Sequence, residues 1–131
     1  MKSEVRWMLV DDNADILFTL SVLIRSLTGA TIECYQAPET ALAAFAAAPG
    51  HYELVITDFE MPGLNGVELC RRMHAISPAQ KTFLVTGNGS LTAAFARAAG
   101  FSALLKKPVL LTALEAALAE AGLKTATACS R

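Results

Sequence analysis

The chain has 131 residues, which is enough for one domain that buries roughly two-thirds of its unfolded surface. Its hydrophobic fraction is 53%, but no apolar run approaches the ~20 residues of a membrane span, and the N-terminal residues lack the pattern of a secretory signal. A net charge of -1 gives no long-range attraction to DNA or to anionic lipid. We therefore expect a cytoplasmic protein that binds neither nucleic acid directly nor a membrane.

Strand and helix signals alternate from one end of the chain to the other. The first run, VRWMLV, is nearly continuous in apolar residues, as expected of a central parallel strand that is covered on both faces. Asp12 and Asn13 are suitable caps for the helix that follows, and we expect Gly29 to stop that helix. Pro38 occupies the favoured first turn of a second helix.

The alternation continues through the second half of the chain. Asn65 and Glu68 resemble a capping box at the start of a third helix, and Gly100 closes a fourth. The predicted strands cover residues 5–10, 31–35, 54–57, 82–85 and 102–106. The predicted helices cover residues 13–28, 38–48, 65–76, 91–99 and 111–121. Five such units predict an α/β fold, a doubly wound five-stranded parallel sheet of the flavodoxin-like (βα)5 type.

Polar side chains stand at the ends of four of the predicted strands. Asp11 and Asp12 follow the first strand, Asp58 the third, Thr86 the fourth and Lys107 the fifth. The carboxyl ends of parallel strands meet at one edge of the sheet, where ligands bind. Three carboxylates in one pocket repel one another, and a hard divalent cation such as Mg²⁺ relieves this best. An ammonium group and a hydroxyl are the donors that a phosphoryl group requires.

The residue types alone leave the role of Asp58 open. It is either a metal ligand only, or a nucleophile that forms an aspartyl phosphate. Each residue also has a simpler explanation, since an isolated Asp-Asp pair can cap a helix and threonine is common in strands. The joint placement of the three carboxylates with Thr86 and Lys107 favours phosphoryl chemistry.

Four motifs carry a resemblance to the receiver domain of two-component response regulators, which covers residues 5–121. They are LVDDN, VITDFEMPGLNGVEL, FLVTG and LLKKP, and the second is the most specific. The resemblance implies strand order 2-1-3-4-5 and a phosphoacceptor at Asp58. It also implies that Asp12 binds Mg²⁺ directly, that Asp11 acts partly through water, and that Asp58 and the backbone carbonyl of Glu60 complete the protein's metal ligands.

The same resemblance assigns roles to the hydroxyl and the lysine. Thr86 is the expected switch residue, and Lys107 the cation that pairs with a phosphoryl oxygen. The family usually has a cis peptide bond between this lysine and the following proline, here Pro108. Lys106 is the rival for the role, but it should point to the opposite face of its strand.

The implied function is a phosphorylatable switch that catalyses its own phosphorylation and dephosphorylation and is not otherwise an enzyme. The phosphoryl donor would be a histidine kinase or a histidine phosphotransfer protein. Phosphorylation would reshape the surface made by the fourth helix, fifth strand and fifth helix, which would bind an unknown downstream protein or a second copy of the chain. We expect the receiver domain to cover residues 1–123 and residues 124–131 to form a disordered tail.

One position departs from the family pattern. Leu104 stands three residues before Lys107, where the family commonly has tyrosine or phenylalanine. The ring of that aromatic residue moves inward when the switch hydroxyl moves. With leucine at this position, the chain lacks the aromatic ring that takes part in the family's switch.

Three alternatives compete with this interpretation. A small Mg²⁺-dependent phosphatase would use Asp58 as nucleophile and Glu60 as general acid, but the run D-F-E-M departs from the D-x-D pattern of such hydrolases. A flavodoxin-like cofactor binder is disfavoured because the strand-end loops are acidic where a phosphate cradle is expected. A receiver excised from a hybrid histidine kinase belongs to the same functional class.

Overall fold

The computed structural model describes residues 5–123, in which five parallel strands alternate with five helices. The strands are β1 (Arg6–Val10), β2 (Thr31–Tyr35), β3 (Leu54–Asp58), β4 (Lys81–Thr86) and β5 (Ala103–Lys106). The helices are α1 (Ala14–Leu27), α2 (Pro38–Ala47), α3 (Gly66–Ile76), α4 (Ala93–Ala98) and α5 (Leu111–Glu120). The predicted tail at 124–131 lies outside the described residues.

The strands form one sheet in the order β2-β1-β3-β4-β5, and every neighbouring pair is parallel. The predicted fold class and strand order are therefore confirmed. The order changes direction between β1 and β3, so a crevice opens beyond their carboxyl ends. Asp11 directly follows β1, and Asp58 is the last residue of β3.

The two faces of the sheet bury alternate residues of the central strands. Trp7 and Leu9 of β1 pack in a cluster with side chains of α1 and α5, whereas Met8 and Val10 pack against residues of α2 and α3. A third cluster, made of Cys70, Leu84, Ala96 and Phe101, lies between α3, β4 and α4. Coverage on both faces explains why β1 is apolar from Trp7 to Val10.

Side-chain caps decide where three of the helices begin. Asn13 Oδ1 accepts hydrogen bonds from the backbone N–H groups of Asp15 and Ile16, and Asn65 Oδ1 accepts one from Glu68 at 2.8 Å. Thr92 Oγ1 accepts the N–H of the third residue of α4 at 3.0 Å. These bonds satisfy N–H groups that have no partner inside the helix.

Two predictions about helix ends differ from the structure. The fourth helix was predicted over 91–99 but begins at Ala93, because Thr92 caps it, and Gly100 ends it with a φ of 103° as expected. The prediction that Gly29 stops α1 was wrong. The helix ends at Leu27, and Thr28 follows in an extended conformation with a φ of -140°.

None of the helices within residues 5–123 combines the length and the apolar character of a membrane-crossing segment.

Candidate functional site

The three acidic residues at the strand ends come together. Asp11, Asp12 and Asp58 each place one carboxylate oxygen within 4.8 Å of the others. Asp11 is 2% exposed and Asp58 is 5% exposed, whereas Asp12 faces solvent. Asp11 is held by the turn into α1, since its Oδ1 accepts the backbone N–H of Asn13 at 2.9 Å. The crevice between β1 and β3 thus carries two buried carboxylates and one exposed carboxylate.

Lys107 joins the two buried carboxylates. Its Nζ lies 3.2 Å from Asp11 Oδ2 and 3.0 Å from Asp58 Oδ1. Its backbone N–H donates to Thr86 O at 2.8 Å, which extends the pairing of β4 and β5, and its bond to Pro108 is cis. Lys106 is exposed, and its Nζ lies 3.5 Å from the carbonyl of Gly89. Lys107, not Lys106, therefore reaches the carboxylates.

A single lysine does not balance the charge of this pocket. Burial raises the pKa of Asp58, the Lys107 hydrogen bond opposes that effect, and the Asp11 charge adds to it, so the pKa is raised overall. Burial alone would lower the pKa of Lys107, but its hydrogen bond to Asp58 and the charge of Asp11 outweigh burial and raise it. The pKa of Asp58 is thus raised mainly by burial, whereas the pKa of Lys107 is raised by its contacts with the two carboxylates.

The donor set fits a hard divalent cation. Asp11 Oδ2 is buried, and among residues 5–123 it has no hydrogen-bond partner beyond its ion pair with Lys107. Carboxylate oxygens at this spacing are the ligands that Mg²⁺ prefers, and the ion commonly retains several waters. Glu60, whose carbonyl was the fourth predicted ligand, is exposed two residues beyond Asp58 in the loop that leads to α3.

Thr86 is buried beside this pocket at the end of β4, with 1% of its surface exposed. Its Oγ1 accepts a hydrogen bond from the backbone N–H of Asn88 at 2.9 Å. The Asn88 side chain in turn accepts hydrogen bonds from the backbone N–H and the hydroxyl of Ser90. The hydroxyl is therefore engaged with the loop that leads to α4 and not with the carboxylates.

Gly66 is a further residue of the site, and sequence reasoning did not single it out. Its N–H donates to Phe59 O at 2.9 Å, and a Cβ at this position would collide with the backbone carbonyl oxygen of Asp58. The start of α3 therefore packs directly on the backbone of the acidic residue. The Asn-Gly pair at 65–66 was the available signal, since glycine is used where backbones approach closely.

A family model matches this chain. The model of the response regulator receiver domain covers residues 8–119. This range includes all five strand-end residues described above.

Curated relatives agree with that match over part of their own length. A C4-dicarboxylate transport transcriptional regulatory protein of Rhizobium meliloti is 33% identical over 63% of this chain and 17% of that protein. A response regulator receiver protein of Anaeromyxobacter is 30% identical over 79% of this chain and 43% of that protein. A virulence sensor protein of Bordetella bronchiseptica is 33% identical over 93% of this chain and 10% of that protein. The chain thus spans less than half the length of these relatives.

Solved structures match nearly the whole chain. A response regulator receiver domain of Clostridium thermocellum has a TM-score of 0.80 and 28% identity, covering 89% of this chain and 93% of that one. A receiver domain protein of Methanospirillum hungatei has a TM-score of 0.78 and 28% identity, covering 91% and 94%. With the family match, the sheet order and the acidic crevice in agreement, the chain belongs to the response regulator receiver domain family.

Proposed function

We propose that Asp58 is the phosphoacceptor of this receiver domain, and that Asp11 and Asp12 bind Mg²⁺ beside it together with the Glu60 carbonyl. The observation that carries the proposal is the convergence of the three carboxylates with the ammonium group of Lys107 at one crevice. A site that only bound a metal would gain nothing from a lysine among its ligands. A phosphoryl group, in contrast, requires both positive charge and an acceptor carboxylate.

Phosphoryl transfer from a phosphohistidine would proceed in line. A carboxylate oxygen of Asp58 forms a bond to phosphorus as the bond from phosphorus to the histidine nitrogen breaks. The Lys107 ammonium, 3.0 Å from Asp58 Oδ1 before reaction, neutralises charge that develops on the phosphoryl oxygens. Mg²⁺, when bound, adds positive charge at the same group. Water later breaks the acyl phosphate, which restores the carboxylate and releases inorganic phosphate.

Thr86 would couple this chemistry to the surface. Turning its hydroxyl toward a phosphoryl oxygen removes the acceptor that now holds the N–H of Asn88 at 2.9 Å. The loop from Gly87 to Thr92 is then free to adopt a second arrangement, and α4 follows because it begins directly after Thr92. The output is a shift of population between two conformers.

The surface made by α4, β5 and α5 is suited to a protein partner. A groove lies between the two helices over Leu104, and Arg97 and Glu120 contribute opposite charges to its lining. We expect the unidentified downstream protein, or a second copy of the chain, to bind there. The upstream partner would be a histidine kinase or a histidine phosphotransfer protein, and the setting would be cytoplasmic.

Family members are phosphoacceptor switches and not classical enzymes, so the match does not favour the phosphatase alternative. Labelling by acetyl phosphate distinguishes a receiver from a phosphatase. A receiver should take up one phosphoryl group per molecule, whereas a phosphatase would hydrolyse phosphate esters continuously. An origin within a longer sensor protein is compatible with the relatives, several of which are much longer than this chain.

The proposal is tested by intact-mass spectrometry after treatment with acetyl phosphate and Mg²⁺. We expect one phosphoryl adduct on the wild type and none on Asp58→Asn or Asp12→Ala. Asp15→Asn is the matched control, because Asp15 is an exposed aspartate of α1 outside the acidic trio, and it should be labelled normally. Equal labelling of Asp58→Asn would contradict the proposal. If acetyl phosphate fails as a donor, beryllofluoride binding replaces labelling as the readout.

A further inference from the structure

An aromatic contact connects the residue after Asp58 to the surface helix α4. The rings of Phe59 and Phe95 meet edge to face, with centroids 6.4 Å apart and an interplanar angle of 84°. Phe59 also packs on the cluster that contains Ala96 of α4, together with Leu104. This geometry is the favoured one for an aromatic pair.

The two rings are anchored very differently. Phe59 has a fixed backbone, because its N–H donates to Val85 O and its carbonyl accepts the N–H of Gly66, both at 2.9 Å. Phe95 is 40% exposed and belongs to a helix of six residues whose one buried side chain is Ala96. So short a helix, anchored by a methyl group, is easily displaced. The pair therefore joins a rigid segment to a movable one.

We propose that the Phe59–Phe95 contact is a latch that stabilises the unphosphorylated position of α4. The inference rests on the proposed function, because the trigger is the turning of Thr86 toward a phosphoryl group on Asp58. When the Thr86 hydroxyl releases Asn88, the loop and α4 move, whereas hydrogen bonds to Val85 and Gly66 hold the backbone of Phe59 in place. The contact is then lost or reshaped, so it contributes free energy to one conformer only. A contact of this kind determines what fraction of the unphosphorylated molecules has α4 in its resting position.

The latch predicts that weakening the contact makes activation easier. Phe95→Leu and Phe59→Leu keep apolar side chains of similar size but remove the edge-to-face geometry. We expect each to bind beryllofluoride, in the presence of Mg²⁺, about two- to tenfold more tightly than wild type, the range that an aromatic pair provides. The double variant should bind no more tightly than the better single variant, because both changes remove the same contact.

The measurement is a calorimetric titration of each variant with beryllofluoride at saturating Mg²⁺. Phe18→Leu is the matched control, since Phe18 is exposed on α1, remote in sequence from both rings, and its affinity should equal that of wild type. A cooperative thermal unfolding transition, measured for each variant, is the control that establishes that it is folded. Unchanged or weaker binding by Phe95→Leu, or strictly additive effects in the double variant, would overturn the latch alone. Failure of the wild type to bind beryllofluoride would overturn the proposed function and the latch with it.

Discussion

At the scale of single residues, the charge balance of the pocket depends on Lys107. Two buried carboxylates share its ammonium group, and the raised pKa of Asp58 shows that burial and the neighbouring Asp11 outweigh that one cation. The unphosphorylated pocket is therefore short of positive charge. A bound divalent ion would supply it, so metal affinity should depend on the same carboxylates that the proposed phosphoryl chemistry uses.

Replacement of the lysine should affect both stability and chemistry. We expect Lys107→Met to lower the free energy of unfolding by roughly 1–3 kcal/mol in the absence of Mg²⁺, because the buried carboxylates of Asp11 and Asp58 lose their shared partner. Added Mg²⁺ should recover part of this loss. The rate of labelling by acetyl phosphate should fall about 100-fold or more.

Urea unfolding with and without Mg²⁺, and the initial rate of labelling, test these expectations. Lys106→Met is the control, because Lys106 is exposed and makes no ion pair with the carboxylates of the crevice. Equal losses of stability and of labelling rate in Lys106→Met and Lys107→Met would contradict the role of Lys107 in the pocket.

A second residue-scale prediction concerns Glu33 and pH. The hydrogen bond from Tyr52 is the main cause that holds the pKa of Glu33 below its ordinary value, against a smaller effect of burial; Tyr35 and Arg6 add to it. A carboxyl with a lowered pKa contributes stability above its unfolded pKa, and that contribution is lost as the pH falls through the folded pKa.

We therefore expect Glu33→Gln to lower the free energy of unfolding by roughly 1–2 kcal/mol at pH 7, because hydrogen bonds to a charged group contribute about 1.5–3 kcal/mol and neutral ones about 0.5–1.5 kcal/mol. The difference from wild type should shrink as the pH is lowered below the ordinary glutamate range. Urea unfolding at a series of pH values measures it, with the exposed Glu120→Gln as control. If the difference in unfolding free energy between wild type and Glu33→Gln stays unchanged at low pH, the stabilisation does not come from the charge of Glu33.

At the scale of elements, the start of α3 positions the acidic residue of β3. Gly66 donates its N–H to Phe59 O, and the Asp58 carbonyl occupies the space where a side chain would begin. We expect Gly66→Ala to lower the free energy of unfolding by about 1–3 kcal/mol through overpacking, and to weaken Mg²⁺ binding by displacing Asp58. Thermal unfolding and Mg²⁺ calorimetry measure the two effects.

Gly29→Ala provides the matched control for that substitution. Within residues 5–123, no atom beyond the two chain neighbours lies within 4 Å of the position that a Cβ at Gly29 would occupy, and its φ is not positive, so the change should be nearly neutral. A loss of stability in Gly29→Ala as large as that in Gly66→Ala would show that the contact with Asp58 is not responsible.

The elements also show what the sequence could and could not predict. Alternating apolar runs and capping residues were sufficient to predict all five strands, all five helices to within two residues of their ends, and the convergence of Asp11, Asp12, Asp58 and Lys107. The sequence did not predict the Thr86–Asn88 hydrogen bond, the packing of Gly66 on Asp58 or the Phe59–Phe95 contact. These depend on how loops fold back in three dimensions, which local periodicity does not encode.

The error at Gly29 has a similar origin. Glycine often ends a helix by adopting a positive φ, but here the extended conformation of Thr28 had already ended α1 one residue earlier. A helix-breaking residue in the sequence indicates that a helix ends nearby, but it does not show which residue leaves the helical conformation first.

At the scale of the whole molecule, metal binding should be visible as global stabilisation. A ligand that binds only the folded state raises the free energy of unfolding by about 2.7 kcal/mol at a hundred times its dissociation constant. We expect Mg²⁺ to raise the melting temperature of wild type accordingly, and to have little effect on Asp12→Ala. Scanning calorimetry over a Mg²⁺ series tests this, and an equal shift in both proteins would place the ion elsewhere.

The most direct test of the central claim is to locate the phosphoryl group chemically. Borohydride reduces an aspartyl phosphate to homoserine, so treatment with acetyl phosphate and Mg²⁺, reduction and peptide mass spectrometry identify the acceptor. We predict homoserine at position 58 and nowhere else, and none when Mg²⁺ is replaced by a chelator. Homoserine at Asp11 or Asp12, or a phosphoryl adduct that forms without a divalent ion, would contradict the account.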